Sequence, residues 1–361
     1  GSPDNGHLVE ESGEDPAHPD RFARMNVVFV GHRCCDHSPS GGYDQVCALF
    51  PASGWLDGRA LEAGRLEWQR EPQAAHAGAP RVFHVFYGDC SGKALPRLVR
   101  DRFPGAVIVS SAHQPATRLR QDAPALEALR ASDAVLTVSE QQAREMRALH
   151  LGVPIRSVPH GVWTDVFRPA SPASAVRNQV LLVGSFLRDW TTARHVVSAL
   201  AAAGVGATAL GAGARSHLAD GEAPVDVRPW VPEAELAALY DGAAAVFLPF
   251  LEATASNALL EAMAAGCPVV CPRLPSLLDE YLGDDRDAFD PDQPGDAVAR
   301  LLCYARDPVA RAARSRELIG RAAEFDWARL RPRYVAAYEA AAGRGAEGAP
   351  DEQPAALQRS R

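Results

Sequence analysis

The segment "AAVFLPFLEATASNALLEAMAAGCPVVCP", residues 244–272, is typical of a strand, a helix and a second strand in immediate succession. Its first and last parts are short apolar runs of the kind found in strands that are buried in a parallel sheet. Between them, Ser256 or Asn257 can cap the start of a helix, and Gly266 followed by Pro268 can end it. The segment therefore predicts a strand-helix-strand unit of a parallel sheet.

The same alternation of strand and helix extends along most of the chain. Further apolar runs that predict buried strands occupy residues 25–31, 80–88, 105–113, 132–140, 155–161, 178–184, 206–213 and 225–231. A stretch rich in Pro, Ser and Ala, "FRPASPASAVRN", interrupts the pattern at 167–178 and is typical of a linker. We therefore predict an α/β protein of two Rossmann-like, doubly wound domains in tandem, with a cleft between them.

The domain boundaries follow from this pattern and from composition. We place the first domain at 25–170 and the second, which faces it across the cleft, at 176–325. An amphipathic helix at about 326–342 has aromatic residues at helical spacing and is expected to pack back on the first domain. Residues 1–22 and 343–361 contain too few apolar groups to offset the entropy of ordering, so we expect both tails to be disordered.

Composition excludes several classes of function. The chain has 361 residues and no run of about 18 uncharged apolar residues, and no secretory signal is evident, so we expect a cytoplasmic protein without stable membrane insertion. A net charge of −8 argues against a nucleic-acid partner, because phosphate backbones require a basic surface. The seven cysteines are irregularly spaced, which favours reduced thiols. Lys93 is the only lysine, so arginines, backbone amides or helix ends must supply any phosphate clamp.

One predicted strand end carries residues suited to an anion. Ligands of open α/β sheets bind beyond the carboxyl ends of the strands. After the strand at 178–184, Gly184 and Ser185 would let the backbone approach an anion that the next helix start can hold. Arg188 either neutralises a phosphate there or pairs with the adjacent Asp189, and the residues alone leave both possibilities open.

Two further segments suggest a cleft between the domains. Glu261 lies among apolar neighbours in its predicted helix, so its carboxylate needs a hydrogen-bonding partner such as a sugar hydroxyl. The alternative is a narrow solvated face on which the helix dipole favours an acid. The segment "SVPHGVWTDVFRP", residues 157–169, joins the domains, and Gly161 is expected to let the chain turn at the floor of the cleft.

Two polar clusters are not expected to bind metal. "GHRCCDHSP", residues 31–39, contains adjacent cysteines, which suit a single tetrahedral ion poorly, and no second ligand pair follows at motif spacing. The acidic stretch "DDRDAFDPDQPGD", residues 284–296, lacks the spacing of a calcium loop, and its prolines favour a solvated surface turn. We therefore expect neither a metal nor a cofactor.

Together these segments resemble the retaining, GT-B fold glycosyltransferases of the large family 4 group. That family has an Asn-Gly-Val-Asp-Thr-x-x-Phe-x-Pro hinge, which residues 160–169 match in part. Its signature helix commonly reads Leu-Glu-Ala-Met-Ala-x-Gly-x-Pro-Val-Val, which residues 260–270 match throughout. The resemblance extends from Met25 to about Ala342 and is denser in the second half of the chain.

The resemblance implies a reaction and its partners. The family transfers a sugar from a nucleotide-diphospho-sugar to an acceptor, with retention of configuration at the anomeric carbon. The second domain would then bind the nucleotide sugar, and the first would bind a small-molecule or saccharide acceptor. We expect a hexosyltransferase that needs no metal and acts as a monomer or homodimer, whereas the donor base and sugar are not specified by these residues.

The resemblance also assigns roles to residues. The implied catalytic set is His113, near the transferred sugar, with Arg188 and Glu252. The implied donor site draws on both domains and comprises Gly41, Gly42, Gly184, Ser185, Arg188, Trp230, Val231, Glu252, Ser256, Asn257, Ala258 and Glu261. Within this site Glu261 would bind the ribose, and Trp230 or the backbone of Val231 would border the base. His160 and Gly161 would line the hinge.

The sequence departs from the family at positions that concern the sugar and the diphosphate. Glu252 is one residue out of register with the first signature glutamate, where Ala253 stands, so it would reach the sugar only if the loop bulges. Ser185 and Trp190 stand where the family has an arginine and a lysine, which leaves Arg188 as the nearby cation. Two alternatives therefore stay open: a non-catalytic GT-B-like binding or partner protein, and a sugar-nucleotide epimerase or phosphorylase on the same fold.

Overall fold

The computed structural model describes residues 26–32, 38–72, 81–169, 178–219, 221 and 223–347, with side chains up to residue 343. These residues form two β-sheets covered by helices. The predicted tail at 1–22, most of the tail predicted from 343, most of the predicted linker and the central part of the His and Cys cluster lie outside the described residues.

The first sheet has seven strands in the order β3-β2-β1-β4-β5-β6-β7. Its strands are β1 (Asn26–Gly31), β2 (Gly54–Asp57), β3 (Trp68–Arg70), β4 (Arg81–Val85), β5 (Val107–Ala112), β6 (Ala134–Thr137) and β7 (Ile155–Ser157). All neighbouring pairs are parallel except β2 and β3. The helices of this part are a 3₁₀-helix (Tyr43–Leu49), α1 (Gly58–Glu62), α2 (Leu95–Arg102), α3 (Ala116–Leu119), α4 (Ala123–Arg130) and α5 (Glu140–Arg147).

The second sheet has six parallel strands in the order β10-β9-β8-β11-β12-β13. Its strands are β8 (Gln179–Val183), β9 (Gly206–Leu210), β10 (Val225–Arg228), β11 (Ala245–Phe247), β12 (Val269–Pro272) and β13 (Ala288–Phe289). Its helices are α6 (Trp190–Ala202), α7 (Ala212–Leu218), α8 (Glu233–Gly242), α9 (Asn257–Ala264), α10 (Pro275–Leu277), a π-helical turn (Leu278–Leu282), α11 (Pro294–Arg306) and α12 (Pro308–Ala322). A 3₁₀-turn (Ala323–Phe325) leads into α13 (Trp327–Glu347).

The central strands owe their uniform hydrophobicity to burial on both faces. Every residue of β5, β6 and β12 is buried, so these strands have no solvent face on which polar residues would alternate. Their apolar runs were the signal that predicted them. The predicted α/β architecture of two Rossmann-like sheets in tandem is confirmed.

Strands β2 and β3 were not predicted from the sequence. Both are short, and β3 pairs in antiparallel fashion at the edge of the sheet. An edge strand is buried on fewer sides, so it does not need the continuous apolar run that marks a central strand. Strand β2 forms by pairing with β1, and β3 forms by pairing with β2, so neither depends on a local pattern.

The acidic stretch 284–296 is not the solvated turn that its composition predicts. It contains β13, and Asp287 within it is 3% exposed. The carboxylate of Asp287 accepts hydrogen bonds from Arg314 Nε, at 2.6 Å, and from the hydroxyl of Tyr304. The prediction was wrong for this part because the partners that allow the acid to be buried come from α11 and α12, far along the chain.

Helix α13 packs on the first sheet although it follows the second in sequence. Trp327, Tyr334 and Tyr338 are fully buried in a cluster with residues of β1, β4 and β5. Nδ1 of His84 lies 2.7 Å from the hydroxyl of Tyr338. The helix runs to Glu347, five residues beyond the predicted end at 342.

Candidate functional site

The two sheets meet through segments that follow the carboxyl ends of their strands. The first sheet contributes the segments after β1, β5 and β6, and the second contributes those after β10 and β11. Side chains bridge the two at Ser38 with Glu261, Ser40 with Glu233, Thr117 with Glu252, and Thr254 with the carbonyl of His113. This is the position at which open α/β sheets bind ligands.

Glu261 is held in the wall of the cleft. It lies in α9, whose start is capped by Ser256 accepting a hydrogen bond from the amide of Leu259 at 3.2 Å. Its side chain is 4% exposed, and Tyr240 donates to Oε2 at 2.9 Å. Burial, followed by the nearby carboxylate of Glu261, raises the pKa of Tyr240 well above its usual value, so its hydroxyl remains a donor.

A loop of the first domain, Ser38–Gly42, lies directly on Glu261. The hydroxyl of Ser38 donates to Glu261 Oε1 at 3.3 Å. A β-carbon added to Gly41 would come within 2.3 Å of the same oxygen, so only glycine permits this approach. The resemblance implies that Gly41 and Gly42 border the donor. In the structure this loop contacts Glu261, the residue expected to bind the ribose.

The same loop is held by a second glutamate that sequence reasoning missed. Both the amide and the hydroxyl of Ser40 donate to the carboxylate of Glu233, at 2.6 and 3.0 Å. Glu233 is the first residue of α8. The helix dipole favours an acid at this position, so the sequence alone gives no reason to assign Glu233 to a site. We call Ser38, Ser40, Glu233 and Glu261 the loop latch.

His113 follows β5 and lies where the two domains touch. Its amide donates to Asp89 Oδ2 at 2.7 Å, and its carbonyl accepts from Thr254 of the second domain at 2.6 Å. Its ring packs between Tyr43 and Tyr87, with centroid distances of 4.4 and 4.3 Å. The imidazole is therefore positioned by backbone contacts from both domains and by aromatic neighbours.

Asp89 is a further site residue that the sequence did not reveal. It is fully buried and also accepts from the amide of Gln114 at 2.6 Å. Burial raises the pKa of Asp89 above its ordinary value, against the effect of the two amides. The carboxylate holds the chain where β5 ends, and through it the position of His113.

Glu252 contacts a different part of the first domain from Glu261. Its Oε1 accepts a hydrogen bond from the hydroxyl of Thr117, in α3 of the first domain, at 2.7 Å. The two glutamates therefore have different partners. Glu252 contacts the segment after His113, whereas Glu261 contacts Tyr240 and Ser38.

Comparison with known proteins identifies the second sheet and its helices. Residues 177–318 match the family described as glycosyl transferases group 1. The second domain is thus similar to the group 1 glycosyltransferases over this range. No curated protein matches the sequence. The family match supports sugar transfer as the general activity, and the site described above lies at the edge of this domain.

Solved structures share the two-domain fold over most of this chain. The α,α-trehalose 6-phosphate synthase of Burkholderia multivorans is 13% identical, with a TM-score of 0.67, over 91% of this chain and 100% of that one. Sucrose-phosphate synthase of Thermosynechococcus elongatus is 16% identical, with a TM-score of 0.64, over 88% of this chain and 99% of that one. At these identities the likeness establishes the GT-B fold and no more.

In the second domain, the guanidinium of Arg188 turns inward and does not pair with Asp189. Its terminal nitrogens donate to the carbonyls of Phe186 and Val183, at 2.8 and 2.7 Å, and its guanidinium lies 4.0 Å from the centroid of the Phe250 ring. Burial lowers the pKa of Arg188 to about 9. Asp189, instead of pairing with it, caps α6. Arg188 therefore supports the end of β8 from inside, and its contact with a phosphate stays a prediction.

The other predicted donor residues lie at strand ends and helix starts of the second domain. Gly184 directly follows β8, and the hydroxyl oxygen of Ser185 accepts from the amide of Gly213 at 2.9 Å. Asn257 is the first residue of α9, and Ala258 packs in the core. Before α8, Trp230 is 63% exposed, whereas Val231 is partly buried against the core.

The hinge is built around Trp327. His160 is buried, its amide donates to the hydroxyl of Tyr281 at 3.0 Å, and its Nδ1 lies 2.8 Å from the carbonyl oxygen of Gly161. A β-carbon on Gly161 would come within 2.3 Å of the Trp327 ring. Gly161 is thus required by close packing against Trp327, and its φ is not positive.

Two absences concern only the part of the chain that the structure describes. Within the ranges given above, no group of three or more His, Cys, Asp or Glu side chains could hold a metal ion, and Cys34, Cys35, Asp36 and His37 are not among those residues. None of the described helices combines the length and the apolar character needed to cross a bilayer.

Proposed function

We propose that this protein transfers a sugar from a nucleotide-diphospho-sugar to an acceptor with retention of configuration. The observation that carries the proposal is the meeting of Glu261, Glu252 and His113 at one interdomain cleft, on a chain whose second domain is similar to the group 1 glycosyltransferases. Each of the three follows a strand end, so all three face the region in which open α/β folds bind ligands.

In the proposed donor site, the carboxylate of Glu261 accepts hydrogen bonds from the ribose. Its Oε1 already accepts one hydroxyl, from Ser38, and a ribose hydroxyl would replace that contact when the loop latch opens. The exposed indole of Trp230 offers a surface for the base. Amides in the first turn of α9, beside Ser256 and Asn257, would donate to the diphosphate.

The proposed reaction takes place on one face of the sugar. The bond between the anomeric carbon and the diphosphate oxygen breaks, and its electron pair leaves with the diphosphate. The acceptor oxygen bonds to the anomeric carbon on the same face, and its proton passes to the leaving phosphate oxygen. Glu252 and His113 would orient the sugar, and the amides would stabilise the charge that develops on the diphosphate.

The deciding experiment is a calorimetric screen of nucleoside diphosphates and nucleotide sugars. We expect one base to bind and the corresponding nucleotide sugar to be turned over with an acceptor, without added metal and in the presence of EDTA. The product should keep the anomeric configuration of the donor. If no nucleoside diphosphate binds, the proposal is wrong.

The role of Glu261 has its own test. Glu261→Ala should lower nucleoside diphosphate affinity by about 10- to 100-fold, as expected for a charge-assisted hydrogen bond. Tyr240→Phe is the matched control, because it removes the neighbouring donor to Oε2 and leaves the carboxylate in place. Unchanged affinity in Glu261→Ala would refute the ribose role.

A non-catalytic binding protein is the second candidate, and one observation favours it. In this structure the loop latch already satisfies Glu261, and Gly41 approaches it closely. Tight binding of a nucleotide sugar, with neither transfer nor hydrolysis across a panel of acceptors, would identify the protein as such a binder. Epimerisation or phosphorolysis without any acceptor would instead indicate the third possibility.

A further inference from the structure

The end of β8 has no outward-facing cation of its own among residues 184–190. Arg188 is the single basic residue of this segment, and both of its terminal nitrogens are bonded to carbonyls. The start of the following helix is also occupied, since the carboxylate of Asp189 accepts from the amides of Thr191 and Thr192, each at 3.0 Å. A diphosphate that reaches this strand end therefore meets a carboxylate at the helix start and no free cation from residues 184–190.

Arg118, from the other domain, lies over this strand end. It belongs to α3, five residues after His113, and its guanidinium carbon is 5.8 Å from the centroid of the Phe186 ring. Phe186 is in the turn just after Gly184 and Ser185 and is 63% exposed, so its contact with Arg118 brings the guanidinium from the first domain to this strand end.

The charge of Arg118 is not neutralised within the described structure. Its Nε donates to the amide oxygen of Gln114 at 3.3 Å, and no described carboxylate lies within ion-pair distance of it. Glu252 also contacts α3, but its carboxylate accepts a hydrogen bond from the hydroxyl of Thr117 instead. An exposed, uncompensated guanidinium with free terminal nitrogens is well suited to a phosphate group.

We propose that Arg118 donates hydrogen bonds to the diphosphate of the donor from across the cleft. This inference rests on the proposed function and adds a specific residue to it: the cation for the leaving group comes from the first domain, and not from the domain that binds the nucleotide. Donor binding would then draw the domains together, because the diphosphate meets this cation only when α3 lies over the end of β8. The same chemistry would suit an anionic acceptor, and the experiment separates the two.

The test compares Arg118→Ala, Arg118→Lys and Arg120→Ala by calorimetry. Arg120 is also exposed and lies two residues further along. Arg120→Ala removes the same charge, so it is the matched control. Each variant is titrated with the nucleoside diphosphate found for the wild type, with the corresponding nucleoside, and with inorganic phosphate. Thermal unfolding midpoints establish that the exposed substitutions leave the fold intact.

We expect Arg118→Ala to weaken nucleoside diphosphate binding at least tenfold and to leave nucleoside binding within twofold of the wild type. Arg118→Lys should fall between them, and Arg120→Ala should behave as the wild type. If Arg118→Ala binds the diphosphate as tightly as Arg120→Ala does, the inference is overturned. A loss confined to the KM of an anionic acceptor would overturn it in favour of an acceptor site. If the wild type binds no nucleoside diphosphate, the proposed function itself fails.

Discussion

Arg188 illustrates how far the role of one residue depends on where its side chain turns. From the sequence it is the cation beside a glycine-ended strand, and both a phosphate and Asp189 are reasonable partners. In the structure it is buried, and its guanidinium bonds to two carbonyls and lies over Phe250. Its role is therefore structural support for the strand end.

This assignment predicts the effect of removing the side chain. Arg188→Ala would leave the carbonyls of Val183 and Phe186 without their donors and open a cavity beside Phe250. We expect a loss of about 2–4 kcal/mol in the free energy of unfolding, measured by urea denaturation. Arg194→Ala, an exposed change in α6, should lose less than about 0.5 kcal/mol. A variant of Arg188 with full stability and no nucleotide affinity would instead indicate a phosphate ligand.

At the scale of elements, the loop latch ties the segment after β1 to two helices of the other domain. Ser40 is held by Glu233 of α8, and Ser38 by Glu261 of α9. Because the latch covers the carboxylate that the donor is proposed to use, nucleotide entry requires the loop to move.

A weaker latch should therefore speed nucleotide entry. In Glu233→Gln the amide of Ser40 loses a charged acceptor, which should weaken the contact between the loop and α8 by roughly 1 kcal/mol. We therefore expect the association rate of the nucleotide to rise about two- to fivefold. Stopped-flow fluorescence of the exposed Trp230 would follow the reaction. Glu235→Gln is the control, because Glu235 pairs with Arg228 within its own domain. Slower association in Glu233→Gln would show that Ser40 is held in the productive position.

The packing of α13 on β4 makes stability depend on pH. Burial lowers the pKa of His84 from its ordinary 6.5 to about 3, so the folded chain keeps this imidazole neutral while the unfolded chain protonates it. The contribution of His84 to the free energy of unfolding is complete above pH 6.5. Between pH 6.5 and about pH 3 it falls by about 1.4 kcal/mol for each pH unit.

We expect this slope to shrink when His84 is replaced. Urea denaturation at pH 6 and pH 5 should show a smaller loss of unfolding free energy for His84→Gln than for the wild type, by about 1 kcal/mol. His195→Gln, an exposed substitution in α6, should keep the wild-type slope. Equal slopes for His84→Gln and the wild type would mean that the histidine is protonated in the fold.

At the scale of the whole molecule, Tyr281 joins both domains and the hinge. Its hydroxyl donates to the carbonyl of Val138, after β6, and accepts from the amide of His160 at 3.0 Å. Tyr281 itself belongs to the π-helical turn of the second domain and is fully buried. One side chain thus couples the unfolding of the two domains.

Tyr281→Phe should loosen that coupling. The buried carbonyl and amide would lose their partner, at a cost of about 1–3 kcal/mol, and we expect the urea transition to broaden or to separate into two. Tyr304→Phe removes a hydroxyl that bonds to Asp287 inside the second domain, and it should lower stability without broadening the transition. A single sharp transition in both variants would show that other contacts couple the domains.

Much of the fold could be predicted because its signals are local. The central strands are apolar runs, since they are buried on both faces, and α9 carries its cap and its terminating glycine within a few residues. The hinge and the signature helix also lie in continuous segments. Strands β2, β3 and β13 left no such pattern, because pairing partners elsewhere in the chain decide them.

The sequence by itself determined the two tandem α/β domains, the strand ends at which a site could form, and the residue types available there. Only the tertiary structure decided which of those residues meet. Thr117 and Glu252 are 135 positions apart, and Ser40 and Glu233 are 193 apart. No local periodicity records such pairs, because they depend on how one sheet is set against the other. For the same reason the inward turn of Arg188 and the placing of Arg118 over its strand end become visible only in the folded chain.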